Sequence, residues 1–334
     1  MDVFYTLYAN KDKMKKVLVL GAGGFIGSHL VKVLKEEGSW VRGIDLKYPE
    51  YWGTYADEFI IGDLRNPDVV NECIDFKFDE VYQLAADMGG IGYISNSKYD
   101  ASIMTNSALI NINVLQRSHQ MGIEGVFYSS SACIYPEHNQ INIDDVTCEE
   151  SSAYPANPDT EYGWEKLFSE RLYLAYNKSF NMNNKIARYH NVFGPYGTWD
   201  GGKEKAPAAI CRKIVLADKE IEVWGDGEQR RSFLYVDECV EGTINLMRSK
   251  DFNGPVNIGS EKMISINNLV DIVAKISGKD IYKKYVEGPR GVNARVSDNN
   301  LINKELGWMP KENLEYGLEE TYSWIARQIK DNLL

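Results

Sequence analysis

The segment Val17-Leu-Val-Leu-Gly21-Ala-Gly-Gly-Phe-Ile-Gly27 decides the fold. Its first four residues are apolar and predict a short buried strand, and the apolar spacing of residues 25–37 predicts the helix that follows. The small residues between them let the backbone turn tightly and approach a pyrophosphate, whose charge would meet free amides at the helix N-terminus. The segment therefore predicts a dinucleotide-binding loop, with these residues against the cofactor: Gly21, Gly24, Phe25, Ile26 and Gly27.

Two carboxylates follow the next two predicted strands, 41–44 and 59–61. Asp45 comes 18 residues after Gly27 and is placed to bond both hydroxyls of an adenosine ribose while repelling a 2′-phosphate. This favours NAD over NADP as the cofactor, although Lys47 weakens the preference. Asp63, which precedes Leu64, is predicted to reach the adenine from the end of its strand.

Predicted strands and helices alternate along the first half of the chain, which is typical of a parallel sheet covered on both faces. The further strands are 81–84, 126–128 and 186–187, and the longer helices are 101–121 and 162–177. We therefore predict an α/β fold, with a Rossmann-like doubly wound parallel sheet and a smaller C-terminal α/β substrate lobe.

The second half of the chain has a looser pattern. Glycine and proline become more frequent after Asn191, and short strands at 222–224 and 256–258 mix with helices at 237–248, 266–277 and 316–330. The cofactor-binding domain is predicted to comprise residues 15–191 and about 224–260, and the substrate lobe about 192–223 and 261–334. Residues 1–14 are predicted to form an N-terminal extension.

The composition excludes several classes of protein. The net charge of −11 argues against a broad nucleic-acid surface. Five scattered cysteines without a CxxC pair, together with four histidines, give no metal-binding spacing and favour reduced thiols in the cytoplasm. The cations Lys11 and Lys13 follow the first apolar stretch, which is the wrong order for a secretion signal, and no apolar run is long enough for a membrane span.

A catalytic group is predicted on the helix at 162–177. Tyr162 and Lys166 are four residues apart and so share one face of that helix. A nearby ammonium favours the phenolate, which would make Tyr162 a usable base near neutral pH. Ser131 ends the serine run 129–131 at a strand end, where a hydroxyl could bond a substrate oxygen.

Together these motifs resemble the extended short-chain dehydrogenase/reductase family of sugar-nucleotide epimerases and dehydratases. The resemblance includes Ala85-Ala86 and the Arg188…Asn191-Val-Phe-Gly-Pro195 stretch, and it covers residues 16–330. It implies that Tyr162 is the base on the sugar C4 hydroxyl, that Lys166 bonds the nicotinamide ribose, and that Ser131 supports the same substrate oxygen. It also implies a homodimer built on the helices at 101–121 and 162–177.

Local features resemble the family members that invert C3 and C5 of a GDP-linked hexose. Cys133 stands two residues after Ser131, where ordinary 4-epimerases usually have Thr or Ser, and the Asp-Glu pair of the 4,6-dehydratases is absent. The resemblance implies Cys133 and Lys205 as the proton-transfer pair, with Lys203 as a competitor for the lysine role. The residues that it places against the substrate are Met88, Gly89, Gly90, Ser131, Asn191 and Lys205, with Arg231 and Arg295 as the diphosphate cations.

Two other functions remain open from the sequence. A GDP-sugar or GDP-heptose 4-dehydrogenase or 4-epimerase would use the same tyrosine, lysine and NAD but act at C4 alone. A redox-sensing or structural dinucleotide-binding protein would need no phenolate base, so the set of Ser131, Tyr162 and Lys166 argues against it. The C4-only enzymes are distinguished by exchange, because they would take up no solvent deuterium at C3 or C5.

Overall fold

The computed structural model describes residues 14–288 and 291–332, so the predicted extension lies outside the described residues except for Met14. A seven-stranded sheet forms its centre. The strands are β1 (Lys16–Leu20), β2 (Trp40–Asp45), β3 (Glu58–Ile61), β4 (Glu80–Gln83), β5 (Phe127–Ser131), β6 (Lys185–Tyr189) and β11 (Val256–Ile258). All are parallel and lie in the order β11-β6-β5-β4-β1-β2-β3. The predicted doubly wound Rossmann-like fold is confirmed.

Helices cover both faces of this sheet. They are α1 (Phe25–Glu36), α2 (Pro67–Cys73), α3 (Ile91–Ile94), α4 (Asp100–Gln120), α5 (Glu161–Phe180) and α7 (Val236–Met247). Alternate residues of β1 face opposite sides, as the pleat of a strand requires. Val17 and Val19 join one core with α1 and α7, and Leu18 and Leu20 join the other with α2, α4 and α5.

The remaining elements form the smaller lobe and its connections. They are β7 (Val192–Phe193), α6 (Ala206–Leu216), β8 (Glu220–Trp224), β9 (Arg230–Ser232), β10 (Leu234–Tyr235), β12 (Met263–Ser265), α8 (Ile266–Ser277), β13 (Tyr282–Val286), β14 (Ala294–Arg295), α9 (Asn300–Leu306) and α10 (Leu314–Asn332). They build a three-stranded sheet, β12-β9-β14, and two parallel strand pairs, β10 with β7 and β13 with β8. Within residues 224–260, α7 and β11 return to the large sheet, whereas β9 belongs to the three-stranded one.

The order of strands fixes where a ligand can enter. The chain runs outward from β1 through β2 to β3 and then returns to β4 on the other side of β1. The connections after β1 and β4 therefore diverge, and a crevice opens at the carboxyl ends of these strands, where ligands bind in this class of fold. Among the described residues, no helix combines the length and hydropathy needed to cross a membrane.

Candidate active site

The loop between β1 and α1 and the first turn of the helix require glycine at several positions, of which Gly21 and Gly27 are examples. Gly21 has a φ of +86°. A Cβ there would lie 2.8 Å from the amide nitrogen of Ala85, which follows strand β4 by two residues. A Cβ on Gly27 would lie 2.1 Å from the carbonyl oxygen of Gly21. The close approach brings the N-terminus of α1 to the sheet edge, and no side chain of a described residue caps it or places an acid in its first turn. These amides are therefore available to a phosphate.

Asp45 lies at the end of β2 beside the same loop. Its Oδ2 accepts a hydrogen bond from the Gly23 amide at 3.0 Å, and its Oδ1 accepts one from Lys47 at 3.4 Å. Burial raises the pKa of Asp45, and these backbone amides oppose the shift. A carboxylate held beside a phosphate-binding loop matches the ribose of NAD, so the residues present fit the dinucleotide.

The other predicted adenine contact, Asp63, has a strong partner. The Arg65 guanidinium donates to both of its carboxylate oxygens, through Nε at 2.9 and 3.0 Å and through Nη2 at 2.5 Å. This contact holds the pKa of Asp63 below its usual range. Leu64 is buried, so its side chain packs in the core under α4. The sequence did not predict Arg65 as a partner of this carboxylate.

The position of helix α5 brings Tyr162 next to the carboxyl end of strand β5. Thr160 caps the helix by accepting from the Gly163 amide at 3.3 Å. A Cβ on Gly163 would lie 2.2 Å from the carbonyl oxygen of Cys133, so glycine allows the helix to pack directly on the turn Ala132–Ile134. This contact brings Tyr162, Ser131 and Cys133 into one group.

Burial sets the protonation of the tyrosine. It raises the pKa of Tyr162, the charge of Cys133 raises it further, and a hydrogen bond with Ser131 opposes both. The Nζ of Lys166 donates to the Ser129 carbonyl at 2.9 Å and lies 5.7 Å from the centroid of the Tyr162 ring. Burial therefore acts against the phenolate that the sequence analysis expects, and Lys166 is the cation on the same helix that lies near the ring.

Lys166 is itself almost fully buried. Burial lowers its pKa, and the neighbouring carboxylate of Glu165 opposes this most strongly. Glu165 accepts from Ser169 at 2.6 Å and from Asn111 at 3.4 Å, within a buried polar group between α4 and α5. The sequence analysis did not single out Glu165, although its place beside Lys166 on a helix was visible.

Cys133 lies in the turn after Ser131 and is partly exposed, whereas the other four cysteines are buried. Its amide donates to the Ser131 hydroxyl at 3.2 Å, which fixes the start of the turn. Its Sγ accepts a hydrogen bond from Nη1 of Arg295 at 3.1 Å. The thiol is therefore directed toward the crevice and the C-terminal lobe.

The two lysines that compete for the acid-base role have different surroundings. Lys205 is half-buried at the N-terminus of α6, where burial lowers its pKa and the charge of Cys133 opposes the shift. Lys203 is exposed, and its Nζ lies 3.9 Å from the centroid of the Tyr93 ring. Of these two lysines, Lys205 is therefore the one withdrawn from solvent.

The glycine-rich loop before α3 contacts the segment that carries both lysines. The Gly90 amide donates to the Lys203 carbonyl at 2.9 Å, and a Cβ on Gly90 would lie 2.4 Å from the Glu204 carbonyl oxygen. At Gly89 a Cβ would lie 2.9 Å from the Cβ of Tyr93. Met88 is 40% exposed at the start of the loop. Two segments singled out by the sequence are thus neighbours in the structure.

Asn191 and Arg231 both make contacts with backbone groups of the lobe. The Asn191 side chain donates to the Ser232 carbonyl at 3.0 Å, which ties β7 to the strand β9. Arg231 donates to the carbonyls of Arg230 and Val292, and burial together with the charge of Arg295 lowers the pKa of Arg231 to about 10. The two arginines predicted for the diphosphate are therefore neighbours.

Arg295 is held by two residues that the sequence analysis missed. Its Nε donates to Oε1 of Gln140 at 2.5 Å, and its Nη2 lies 3.7 Å from Oδ1 of Asp159. Asp159 directly precedes Thr160, the N-cap residue of α5. The sequence could therefore indicate that Asp159 lies at a helix start, but not that it lies near Arg295. Across the residues described here, no group of three or more His, Cys, Asp or Glu side chains could hold a metal ion.

The chain belongs to the NAD dependent epimerase/dehydratase family, whose pattern residues 17–259 match. It is similar to GDP-mannose 3,5-epimerase of Arabidopsis thaliana, with 46% identity over 319 residues, which cover 94% of this chain and 83% of that protein. GDP-mannose 3,5-epimerase 1 of Oryza sativa subsp. indica is 44% identical over 327 residues, which cover 97% and 84% of the two chains.

A solved structure shares the architecture. UDP-glucuronic acid 4-epimerase from Bacillus cereus, in complex with UDP-glucuronic acid and NAD, superposes with a TM-score of 0.77 at 29% identity, covering 94% of this chain and 99% of that one. The family assignment confirms the predicted family, and the cofactor predicted from the loop, NAD, is the cofactor of the family.

Proposed function

We propose that this protein is an NAD-dependent GDP-mannose 3,5-epimerase, which inverts carbons beside C4 of the sugar after a transient oxidation at C4. The observation that carries the proposal is the position of Cys133, a partly exposed thiol that packs against the cluster of Tyr162 and accepts a hydrogen bond from Arg295. An enzyme that acts at C4 alone needs no second acid-base pair. The 46% identity to a GDP-mannose 3,5-epimerase supports the choice of substrate.

The first chemical task belongs to Tyr162 and its neighbours. When bound, NAD would supply an acceptor for the hydride of C4 and the means to return it, so the overall reaction would involve no net oxidation. Tyr162 takes the proton of the C4 hydroxyl, and Ser131 hydrogen-bonds the same oxygen. Because burial raises the pKa of Tyr162, its proton leaves readily only with positive charge nearby, and Lys166 brings an ammonium to 5.7 Å from the ring centroid.

The second task is proton exchange at the carbons next to the new carbonyl. Hydrogens on C3 and C5 become acidic only when C4 is a ketone. Inversion requires that a proton leave from one face of the ring and return to the other, so two groups on opposite sides are needed. We assign these roles to Cys133 and Lys205, whose pKa is lowered by burial toward the range of a general acid. The hydroxyls of Ser131 and Tyr162 stabilise the enolate.

The binding roles follow from the same arrangement. We propose that the lobe of residues 192–223 and 261–334 holds the sugar nucleotide, with Met88, Gly89, Gly90 and Asn191 around the sugar. Arg231 serves as a diphosphate cation. Arg295 has one nitrogen, Nη2, without a hydrogen bond to a described residue, and we assign this nitrogen to the diphosphate. Asp45, Asp63 and Leu64 serve the adenosine of NAD.

We further propose a cytoplasmic homodimer. The large apolar side chains on the outer surfaces of α4 and α5 are 40–48% exposed: Leu109, Trp164, Phe168 and Phe180. An apolar patch on two adjacent helices suits a four-helix interface between two copies of the chain. All five cysteines are free, which fits a reducing compartment.

Incubation of the protein with GDP-mannose in deuterated buffer tests the proposed function. We expect deuterium to enter the sugar at C3, C5 or both, and the position is read by mass spectrometry and NMR. Product with an inverted C3 or C5 should accumulate with the same label. A sugar that inverts or oxidises at C4 with no deuterium on its neighbours would contradict the proposal and favour a GDP-sugar or GDP-heptose 4-dehydrogenase or 4-epimerase.

The lysine assignment gives a separate prediction. Lys205→Met should lower the rate of deuterium exchange by about 100-fold, because one of two acid-base groups is lost. Lys203→Met should leave that rate within about threefold, since the Lys203 ammonium lies over Tyr93 on the surface. The comparison uses the same substitution in the same segment. A larger loss in Lys203→Met than in Lys205→Met would reverse the assignment.

A further inference from the structure

The sulfur of Cys133 lies among several charged groups from different parts of the fold. The cations whose charges interact with it are Arg295 on β14, Arg231 on β9, Lys205 before α6 and Lys166 on α5. Among these groups, Arg295 makes the hydrogen bond that the structure records to Sγ, at 3.1 Å. The thiol thus has a direct hydrogen bond with a guanidinium, whereas the charge of the proposed proton partner Lys205 affects it only electrostatically.

The guanidinium is fixed in this orientation. Arg295 is 7% exposed, its Nε is bonded to Gln140 at 2.5 Å, and its Nη2 lies 3.7 Å from Asp159. The hydrogen bond from Nε to Gln140 anchors the planar guanidinium, and this anchor presents Nη1 to the sulfur. The contact with Cys133 is therefore built into the fold.

We propose that Arg295 holds Cys133 in the thiolate form and aims it at the sugar, in addition to any contact with the diphosphate. A hydrogen bond from a cation to an ionised sulfur is stronger than one to a neutral thiol, so the contact favours the base form. The catalytic meaning of this contact rests on the proposed function. There the thiolate takes a proton from C3 or C5 of the 4-keto sugar, an S–H bond replaces the C–H bond, and the electron pair passes into the enolate.

The thiol can be tested without any turnover. We propose to measure alkylation of Cys133 by iodoacetamide as a function of pH, resolved by peptide mass spectrometry, in the full-length protein. The readout is selective because Cys73, Cys148, Cys211 and Cys239 are buried. In Arg295→Gln we expect the profile to move about one unit to higher pH and the rate at neutral pH to fall about tenfold. Arg295→Lys, which keeps a charge but loses the planar geometry, should recover part of that loss.

Two further variants distinguish the Arg295–Cys133 hydrogen bond from the general electrostatic effect of nearby charges. Arg231→Gln removes a neighbouring cation that is engaged with the Arg230 and Val292 carbonyls, and should move the profile less than Arg295→Gln does. Asp159→Asn removes a negative charge beside Arg295 and should move the profile to lower pH, the opposite direction. This variant also provides the test if Arg295→Gln does not fold.

The outcomes distinguish this proposal from the proposed function. Equal profiles for wild type and Arg295→Gln, an equal shift in Arg231→Gln, or a shift to higher pH in Asp159→Asn would overturn the role of Arg295. The predicted shifts in a protein that exchanges no deuterium with GDP-mannose would support the contact and contradict only the 3,5-epimerase assignment.

Discussion

Replacing Tyr162 by phenylalanine is expected to lower the rate of C4 oxidation by about 10⁴-fold, the upper end of what one general base supplies. The ring is retained, so the packing of Tyr162 with Ile94 and Ile103 should survive. What is lost is the hydroxyl that accepts the C4 proton and bonds with Ser131. Because exchange at C3 and C5 requires the ketone, deuterium uptake should fall with oxidation.

The measurement is the near-ultraviolet absorbance of the reduced nicotinamide after GDP-mannose is added, together with deuterium content. Tyr176→Phe is the matched control, since it removes a hydroxyl from the same helix at a half-buried position remote from Cys133 and Ser131. The control should retain the wild-type rate. Oxidation in Tyr162→Phe within tenfold of wild type would remove Tyr162 from the role of base.

The second large effect is expected at Cys133. Cys133→Ala should leave C4 oxidation nearly intact while lowering deuterium exchange by about 10³-fold or more, because the ketone forms but one of its two proton-transfer groups is missing. The change therefore separates two steps that the tyrosine variant removes together. Reduced nicotinamide should persist in Cys133→Ala after substrate is added, since the 4-keto sugar is not processed further.

Cys148→Ala is the control for loss of a thiol as such. Cys148 is buried in a core with Ile134 and Tyr135, so the change removes a thiol close to the same turn from a position that is closed to solvent. Once the rate is corrected for the fraction of folded protein, Cys148→Ala should exchange deuterium at the wild-type rate. Retained inversion at C3 or C5 in Cys133→Ala would exclude the thiol from the mechanism.

Local sequence patterns were sufficient for much of the fold. The predicted strand at 256–258 and helix at 266–277 agree with β11 and α8 in both bounds, because apolar spacing and flanking small residues mark those ends clearly. The helix α6 was not assigned. Its buried positions Ile210, Cys211 and Ile214 do have helical spacing, but Pro207 near its start and the glycines before it obscure the pattern.

The candidate site was predicted in part. Ser131 and Tyr162 were predicted from a strand end and a helix face, and Cys133 was added by the resemblance to a known family. The choice between Lys203 and Lys205 was left open, since two lysines on a glycine-rich segment are indistinguishable by spacing. The contact of Lys203 with Tyr93 and the partial burial of Lys205 distinguish them, and both depend on how two distant loops pack.

The sequence by itself determined the order of strands and helices, the glycine loop and its cofactor, and the identity of the catalytic candidates. The elements and the loop follow from short-range rules on backbone freedom and helical period, and the catalytic candidates follow from the resemblance of the motifs to a known family. Only the tertiary structure decided the charge around the thiol. Arg295 is 162 residues from Cys133 along the chain, and burial rather than Lys166 dominates the protonation of Tyr162. Both effects arise from desolvation and contact between remote segments, which no local pattern encodes.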